Sequence, residues 1–209
     1  MAIIIQENTT IEAFAMIVDV NGYGKMVAHP EANLIAQFTR DILYGGINSV
    51  EQCGGEVVGF MGDAFLAILD DTEKVFQCCA SIAKDLNELC EHISSNSDIF
   101  PFSPKGPSLK IGIEHGDLDI STISSNFLGV QKLFAGAAIN YADRIMQAGF
   151  GNRCLLGPKA YEIGLSNYSY EDSYDEIKGK DGEPVHGYYK MNLGDIWREN
   201  DNDSDESYW

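Results

Sequence analysis

Ala13-Phe-Ala-Met-Ile-Val-Asp19-Val20 is nearly unbroken apolar sequence interrupted by one carboxylate. A half-exposed strand would alternate apolar and polar residues. This run does not, so Glu12 to Val20 reads as a buried, central strand. Asn21-Gly22-Tyr23-Gly24 then follows as a turn or loop. A second carboxylate, Asp63, sits in Gly59-Phe-Met-Gly-Asp63-Ala-Phe-Leu-Ala67. Here Glu56 to Phe60 and Ala64 to Leu69 read as the strands of a hairpin, with Gly62 relieving the turn. Each aspartate taken alone is an ordinary cap or turn former. Together, at strand ends of one sheet, they form a pair whose like charges need cations or protons to coexist. Such a pair is able to hold two divalent cations against a nucleoside triphosphate.

The remaining pattern mixes helices and strands. Pro30 opens a helical stretch with Leu34, Ile35, Phe38, Ile42 and Ile47 on its apolar side, broken by Gly54-Gly55. Asp71-Thr72 caps a second helix, with Val75, Phe76, Cys79, Ile82, Ala83 and Leu86 as its stripe. Ser94 to Ser108, with three prolines, reads as a loop. Leu109 to His115 reads as a strand ending in Gly116, and Ser121 to Asn126 as a serine-rich loop. Leu128 to Phe134 reads as a strand and Gly136 to Gly149 as a third helix. A short strand at Arg153 to Leu156 and a helical turn after Pro158 come next. Strands are expected near Tyr168 to Ile177 and Val185 to Met191. Without strict βαβ alternation, the expectation is one α+β domain, residues 1–195, with helices packed on a mainly antiparallel sheet. Residues 196–209 read as an acidic, flexible tail.

Charge removes several functions. The chain has 209 residues and a formal charge of −18, which opposes binding to a nucleic-acid backbone or an anionic membrane surface. A nucleotide arriving with metal is not opposed, because the cations invert the local field. No run approaches the ~20 apolar residues of a membrane span, and Met1 to Glu7 lacks the basic region of a secretory signal. The five cysteines, Cys53, Cys78, Cys79, Cys90 and Cys154, show neither zinc spacing nor an even disulfide count. They are expected to be buried or partly buried thiols of a reducing cytoplasm.

Two further groups carry chemistry. In Gly136-Ala-Ala-Ile-Asn140-Tyr-Ala-Asp-Arg144-Ile, Asn140 and Arg144 stand one helical turn apart on one face. Arg144 offers a planar fork for phosphoryl oxygens and Asn140 an amide for a sugar or phosphate. An exposed polar face, with Asp143 as a local ion partner, is the alternative. Glu176-Ile-Lys178-Gly-Lys180 clusters lysines at a glycine turn, suited to a triphosphate tail or to an ordinary solvated hairpin.

In series, Asp19-Val-Asn-Gly-Tyr, Gly62-Asp63-Ala-Phe-Leu-Ala, Ile111-Gly-Ile-Glu-His-Gly116, the Asn140/Arg144 helix and Lys178-Gly-Lys resemble the class III nucleotidyl cyclases. The resemblance spans about Phe14 to Lys190. It implies the class III cyclase fold with its ferredoxin-like core, and a homodimer with two shared sites. It also implies two Mg²⁺ or Mn²⁺ ions on Asp19 and Asp63, assisted by the Val20 carbonyl. One metal would acidify the ribose 3′-hydroxyl and the other would hold the triphosphate as pyrophosphate leaves. Asn140 of the second copy would orient the ribose and its Arg144 would stabilise transition-state charge. Lys178 or Lys180 would hold the terminal phosphates.

The base-reading positions of that family depart from the purine pattern. Purine cyclases place Lys or Glu four residues before the second metal aspartate, and a second reader three before the glycine opening the Asn/Arg helix. Here those positions are Gly59 and Leu133, which offer no side-chain hydrogen bond. The chain is in this respect similar to the bacterial pyrimidine cyclases of Pycsar anti-phage defence, which make cyclic UMP or cyclic CMP to activate a separate effector. UTP is the expected substrate over CTP, with bulk at Phe60, Met61, Leu133 or Phe134 narrowing the pocket. The alternatives are an adenylate cyclase with atypical readers and a cyclase fold kept only for binding or dimerisation. Gly54-Gly55-Glu56 resembles a diguanylate cyclase hairpin, but Val57 and the Asn140/Arg144 helix do not follow that pattern.

Overall fold

The computed structural model describes residues 4–5, 9–21, 23, 32–95, 108–125, 129–149, 151–171, 173–179, 182 and 184–194. The acidic stretch 196–209, Lys180 and most of the proline-bearing segment lie outside them.

The apolar run near the N-terminus is strand β2, Thr9–Asn21, and it takes the central place that its sequence demands. Before it comes β1 (Ile4–Ile5). After it come helix α1 (Ala32–Gln52), the hairpin β3 (Glu56–Met61) and β4 (Ala64–Leu69), and helix α2 (Thr72–Ser95). Strand β5 (Ser108–Ser125) is followed by β6 (Gly129–Ala135), helix α3 (Ala137–Ala148) and β7 (Arg153–Leu156). Helix α4 (Pro158–Glu162), a 3-10 turn (Leu165–Tyr168), β8 (Asp175–Ile177) and β9 (His186–Lys190) complete the described elements.

The sheet runs β3-β4-β2-β5-β7-β9-β8, with β1 and β6 also paired to β5. All pairs are antiparallel except β5 with β7. Its first four strands, with α1 and α2, form the βαββαβ order of a ferredoxin-like core. This is the expected α+β arrangement, with helices packed on a mainly antiparallel sheet.

Both faces of the sheet are covered, which is why β2 does not alternate. Phe14, Met16, Val18 and Val20 join Phe38, Ile42 and Val50 of α1 and the Val75–Leu86 stripe of α2. On the opposite face, Ala13, Ala15 and Ile17 meet Ala138, Ala142 and Met146 of α3. Each large side chain removed from water contributes about 1.5–3 kcal/mol, so two covered faces use every residue of the run. Asp71 caps α2 as expected, its Oδ1 accepting from the Lys74 backbone N–H at 3.0 Å.

Four cysteines, Cys53, Cys78, Cys79 and Cys154, are free thiols; Cys53 is half-buried and the other three are buried. Burial pushes the Cys78 thiol well up, and Cys79 is raised by its hydrogen bond with Cys154 and by burial.

Three expectations are corrected. Ser121 to Ser125 is strand, not loop: it forms a ladder with Gly129–Lys132 and Leu133 of β6. Backbone pairing along β5 outweighs the turn propensity of serine there. Tyr168 to Ile177 is mostly not strand. Leu165–Tyr168 forms a 3-10 turn, Ser169 makes a single antiparallel bridge with Met191, and Asp175–Ile177 forms a strand with β9. Helix α2 also runs through Ser95, past the expected loop start at Ser94.

Candidate active site

The corner where β2 ends is built by register. Asp19 pairs with Ala64 on one side and with Lys110 on the other. Asp63 immediately precedes Ala64 in the Gly62-Asp63 turn, where Gly62 takes φ +69°, a conformation that costs glycine little. The hairpin therefore delivers its carboxylate to the strand position occupied by Asp19. The two act on each other. Burial pushes the Asp63 carboxyl up, the Asp19 charge adds to that rise, and its own backbone hydrogen bond and Lys110 oppose it.

Lys110 was not singled out from the sequence. It donates to Asp19 Oδ2 at 2.6 Å, and both side chains are only 17% exposed. A signal was present. Lys110 is a lone charge within Leu109-Lys-Ile-Gly-Ile113, and a charge inside a central strand must find a partner. The cross-strand row continues from Lys110 to Arg153 on β7. Val20 follows Asp19 with its side chain buried on the opposite face, among the α1 and α2 residues.

Asn140 and Arg144 lie on α3, where the sequence places them. Asn140 is exposed and Arg144 half-buried, while Ala138, Ala142, Ile145 and Met146 form the seated side. Asp143 Oδ2 accepts from Gln147 Nε2 at 2.8 Å. Helix α3 and the strands beside the lysine turn are packed as a unit. Ile145, Leu155 and Tyr188 cluster with Ile177, and Tyr141 Oη donates to the Gly187 carbonyl at 2.9 Å. Lys178 follows β8 and is exposed.

Gly59 pairs with Leu66 just after the register shift of β3, and a Cβ added to it would meet no atom within 4 Å. Leu133 is 48% exposed on β6, opposite Ser121. Lys132 Nζ reaches Glu56 Oε1 at 3.1 Å, so the strands carrying Leu133 and Gly59 are bridged within one chain.

The donor chemistry suits a hard divalent cation. Two carboxylates meet in a partly desolvated corner that one ammonium leaves under-compensated, and carboxylate oxygen is the ligand type of Mg²⁺ and Mn²⁺. Among the described residues there is no group of three or more His, Cys, Asp or Glu side chains able to hold a metal. A different carboxylate, Glu114, is buried four residues beyond Lys110 along β5. Its Oε1 accepts from the His115 and Ala160 backbone N–H groups at 2.8 Å each, and burial pushes its carboxyl up. It anchors α4 to the sheet.

Residues 6–192 match the family model of the adenylate and guanylate cyclase catalytic domain. No curated protein matches the chain in sequence. Among solved structures, the guanylyl cyclase Cya2 is similar with a TM-score of 0.76 at 14% identity, over 91% of this chain and 96% of its own. The adenylyl cyclase CyaB from P. aeruginosa has a TM-score of 0.67 at 15% identity, over 90% and 97%. The non-canonical dimeric guanylyl cyclase domain of the RhoGC fusion protein from the aquatic fungus Blastocladiella emersonii has 0.65 at 11%, over 90% and 99%. No described helix is long and apolar enough to cross a membrane.

Proposed function

Since the chain belongs to the adenylate and guanylate cyclase catalytic domain family, we propose that it is a pyrimidine nucleotide cyclase. It converts UTP, or CTP, to the 3′,5′-cyclic nucleotide and pyrophosphate. The observation that carries cyclase chemistry is the delivery of Asp63 to Asp19 by the β2–β4 register. Asp19 and Asp63, with the Val20 carbonyl, are the residues that would hold two divalent cations, Mg²⁺ or Mn²⁺. When bound, such ions supply Lewis-acid activation of a hydroxyl and charge neutralisation on a triphosphate.

The chain's own groups do the positioning. Asn140 is exposed on α3, available to a ribose bound in a second copy of the chain. Arg144, one turn on, gives a guanidinium to the charge that develops on the phosphoryl oxygens. Lys178, or Lys180 two residues on in sequence, holds the terminal phosphates. A homodimer then has two sites, each with carboxylates from one copy and the α3 residues from the other. Phe60, Met61 and Leu133 stand largely in solvent in the single chain, as expected of residues that a partner covers.

Pyrimidine choice is supported by Gly59 and Leu133, which leave no side-chain group to read an adenine or guanine edge. The similarity to bacterial pyrimidine cyclases extends the reading to a cytoplasmic, antiviral messenger acting on a separate effector. The open space beside Gly59 favours a second reading, an adenylate cyclase with atypical readers, because a purine meets no blocking side chain at that position. Incubation with ATP, GTP, CTP and UTP separately, with Mn²⁺ and mass identification of the product, decides between them. Cyclic UMP or cyclic CMP is expected; cyclic AMP alone transfers the assignment to the second reading.

A further inference from the structure

Lys110 projects from near the start of the central strand β5 into the carboxylate corner. Its neighbours in sequence, Leu109 and Ile111, are buried in the α1/α2 core on the opposite face. Its stem runs beside Gly149, at the end of α3. A Cβ there would lie in van der Waals contact with Lys110 Cγ at 3.4 Å and Cβ at 3.5 Å. Its ammonium ends 2.6 Å from Asp19 Oδ2, and Asp63 stands next to Ala64, the residue that pairs with Asp19 on its other side. At 17% exposure on both sides, this pair is far less screened than a surface ion pair. The oxygen that Lys110 holds is also one that a divalent cation would need.

We propose that Lys110 is the resident counter-ion of the Asp19–Asp63 pair: it holds the corner together without metal and withdraws from Asp19 before a divalent cation takes that oxygen. The free metal concentration at which the site loads is thereby set by the chain itself. Lys110 acts here as a positioning residue, through the carboxylates. The inference rests on the metal-site reading above. A lysine serving only strand stability would leave metal affinity unmoved.

The test uses the full chain and Mn²⁺ alone, without nucleotide. Mn²⁺ binding is followed by paramagnetic resonance of the free ion, and thermal unfolding is recorded in chelator and in Mn²⁺. Lys110→Met removes the competing charge, so Mn²⁺ is expected to bind at least about tenfold more tightly. The same variant unfolds at lower temperature in chelator, where the two carboxylates face each other uncompensated, and gains more from Mn²⁺ than the unaltered protein does. Lys110→Arg keeps the charge and stays near the unaltered affinity. Lys110→Gln, which retains a polar head for Asp19, repeats the measurement should the methionine variant fold poorly. Unchanged or weaker Mn²⁺ binding in the folded neutral variants overturns the counter-ion role. An Asp63→Asn control separates the two levels. If Mn²⁺ binding is lost with Asp63 but indifferent to Lys110, only the counter-ion role falls. If Mn²⁺ does not bind, or binds independently of Asp63, the metal-site reading falls and takes the counter-ion role with it.

Discussion

Gly112 on β5 lies directly under the backbone of Ala142 on α3: a Cβ at Gly112 would fall on the Ala142 carbonyl oxygen and within 2.7 Å of Met146 Cβ. The helix that carries Asn140 and Arg144 is seated against bare backbone, and its height above the sheet depends on that glycine. Gly112→Ala is expected to lift α3 and to destabilise the fold by about 1–3 kcal/mol, the usual cost of overpacking. Urea unfolding measures the loss. Activity should fall further than the unfolded fraction explains, because Asn140 and Arg144 move with the helix.

Sharing of the site between copies predicts complementation. Asp63→Ala and Arg144→Ala should each lose activity while staying folded by circular dichroism. For Arg144 the expected loss is on the order of 100-fold or more, as for removal of a donor to developing charge. Mixing the two inactive proteins should restore part of the activity, since one of the two sites in a mixed dimer regains every group. Failure of rescue in demonstrated heterodimers would falsify the shared-site model.

Base choice is testable at a position where the backbone tolerates change. Gly59 has open space around a prospective Cβ and does not sit at positive φ, so Gly59→Lys and Gly59→Glu should fold with stability within about 0.5 kcal/mol of the unaltered chain. The lysine is the adenine reader of the resembled family and the glutamate its guanine reader. Turnover should move from UTP or CTP toward ATP and toward GTP respectively. Competition among the four triphosphates, read by product mass, checks it. No change in preference places base reading elsewhere.

Glu114 gives a pH-dependent signature distinct from the site. Burial raises its carboxyl above the ordinary value of 4.5 against the pull of the His115 and Ala160 N–H groups. A raised acid contributes stability that is complete below its unfolded pKa and is lost as pH rises through its folded pKa. Glu114→Gln imitates the protonated form and lacks that loss. The difference in Tm between variant and unaltered chain should therefore shift in the variant's favour between pH 4 and pH 7. A flat or opposite difference refutes it.

The sequence was most informative where one residue type settles the geometry. Gly62 marks the hairpin turn, the uninterrupted apolar run marks β2 as covered on both faces, and Gly136 and Gly149 bracket α3. It was least informative where pairing comes from far away. Ser121 to Ser125 looks like a turn because serine competes for backbone hydrogen bonds locally, yet β6 supplies a ladder that local propensity does not contain. Lys110 was overlooked for the same reason. Its importance comes from facing Asp19 across two strands, a relation that no local window of sequence displays.

That relation has a kinetic side. Asp19 stands between Ala64 and Lys110, so its strand is flanked on one side by a hairpin made early in synthesis and on the other by β5, made much later. Until β5 leaves the ribosome, β2 has an open edge and the α3 face of Ala13, Ala15 and Ile17 stays bare. Long-range pairing of this kind folds slowly and exposes apolar surface meanwhile. The carboxylate corner is consequently absent from any truncated product ending before β5. A nascent or clipped chain would carry both aspartates and still lack the ammonium that lets them sit together.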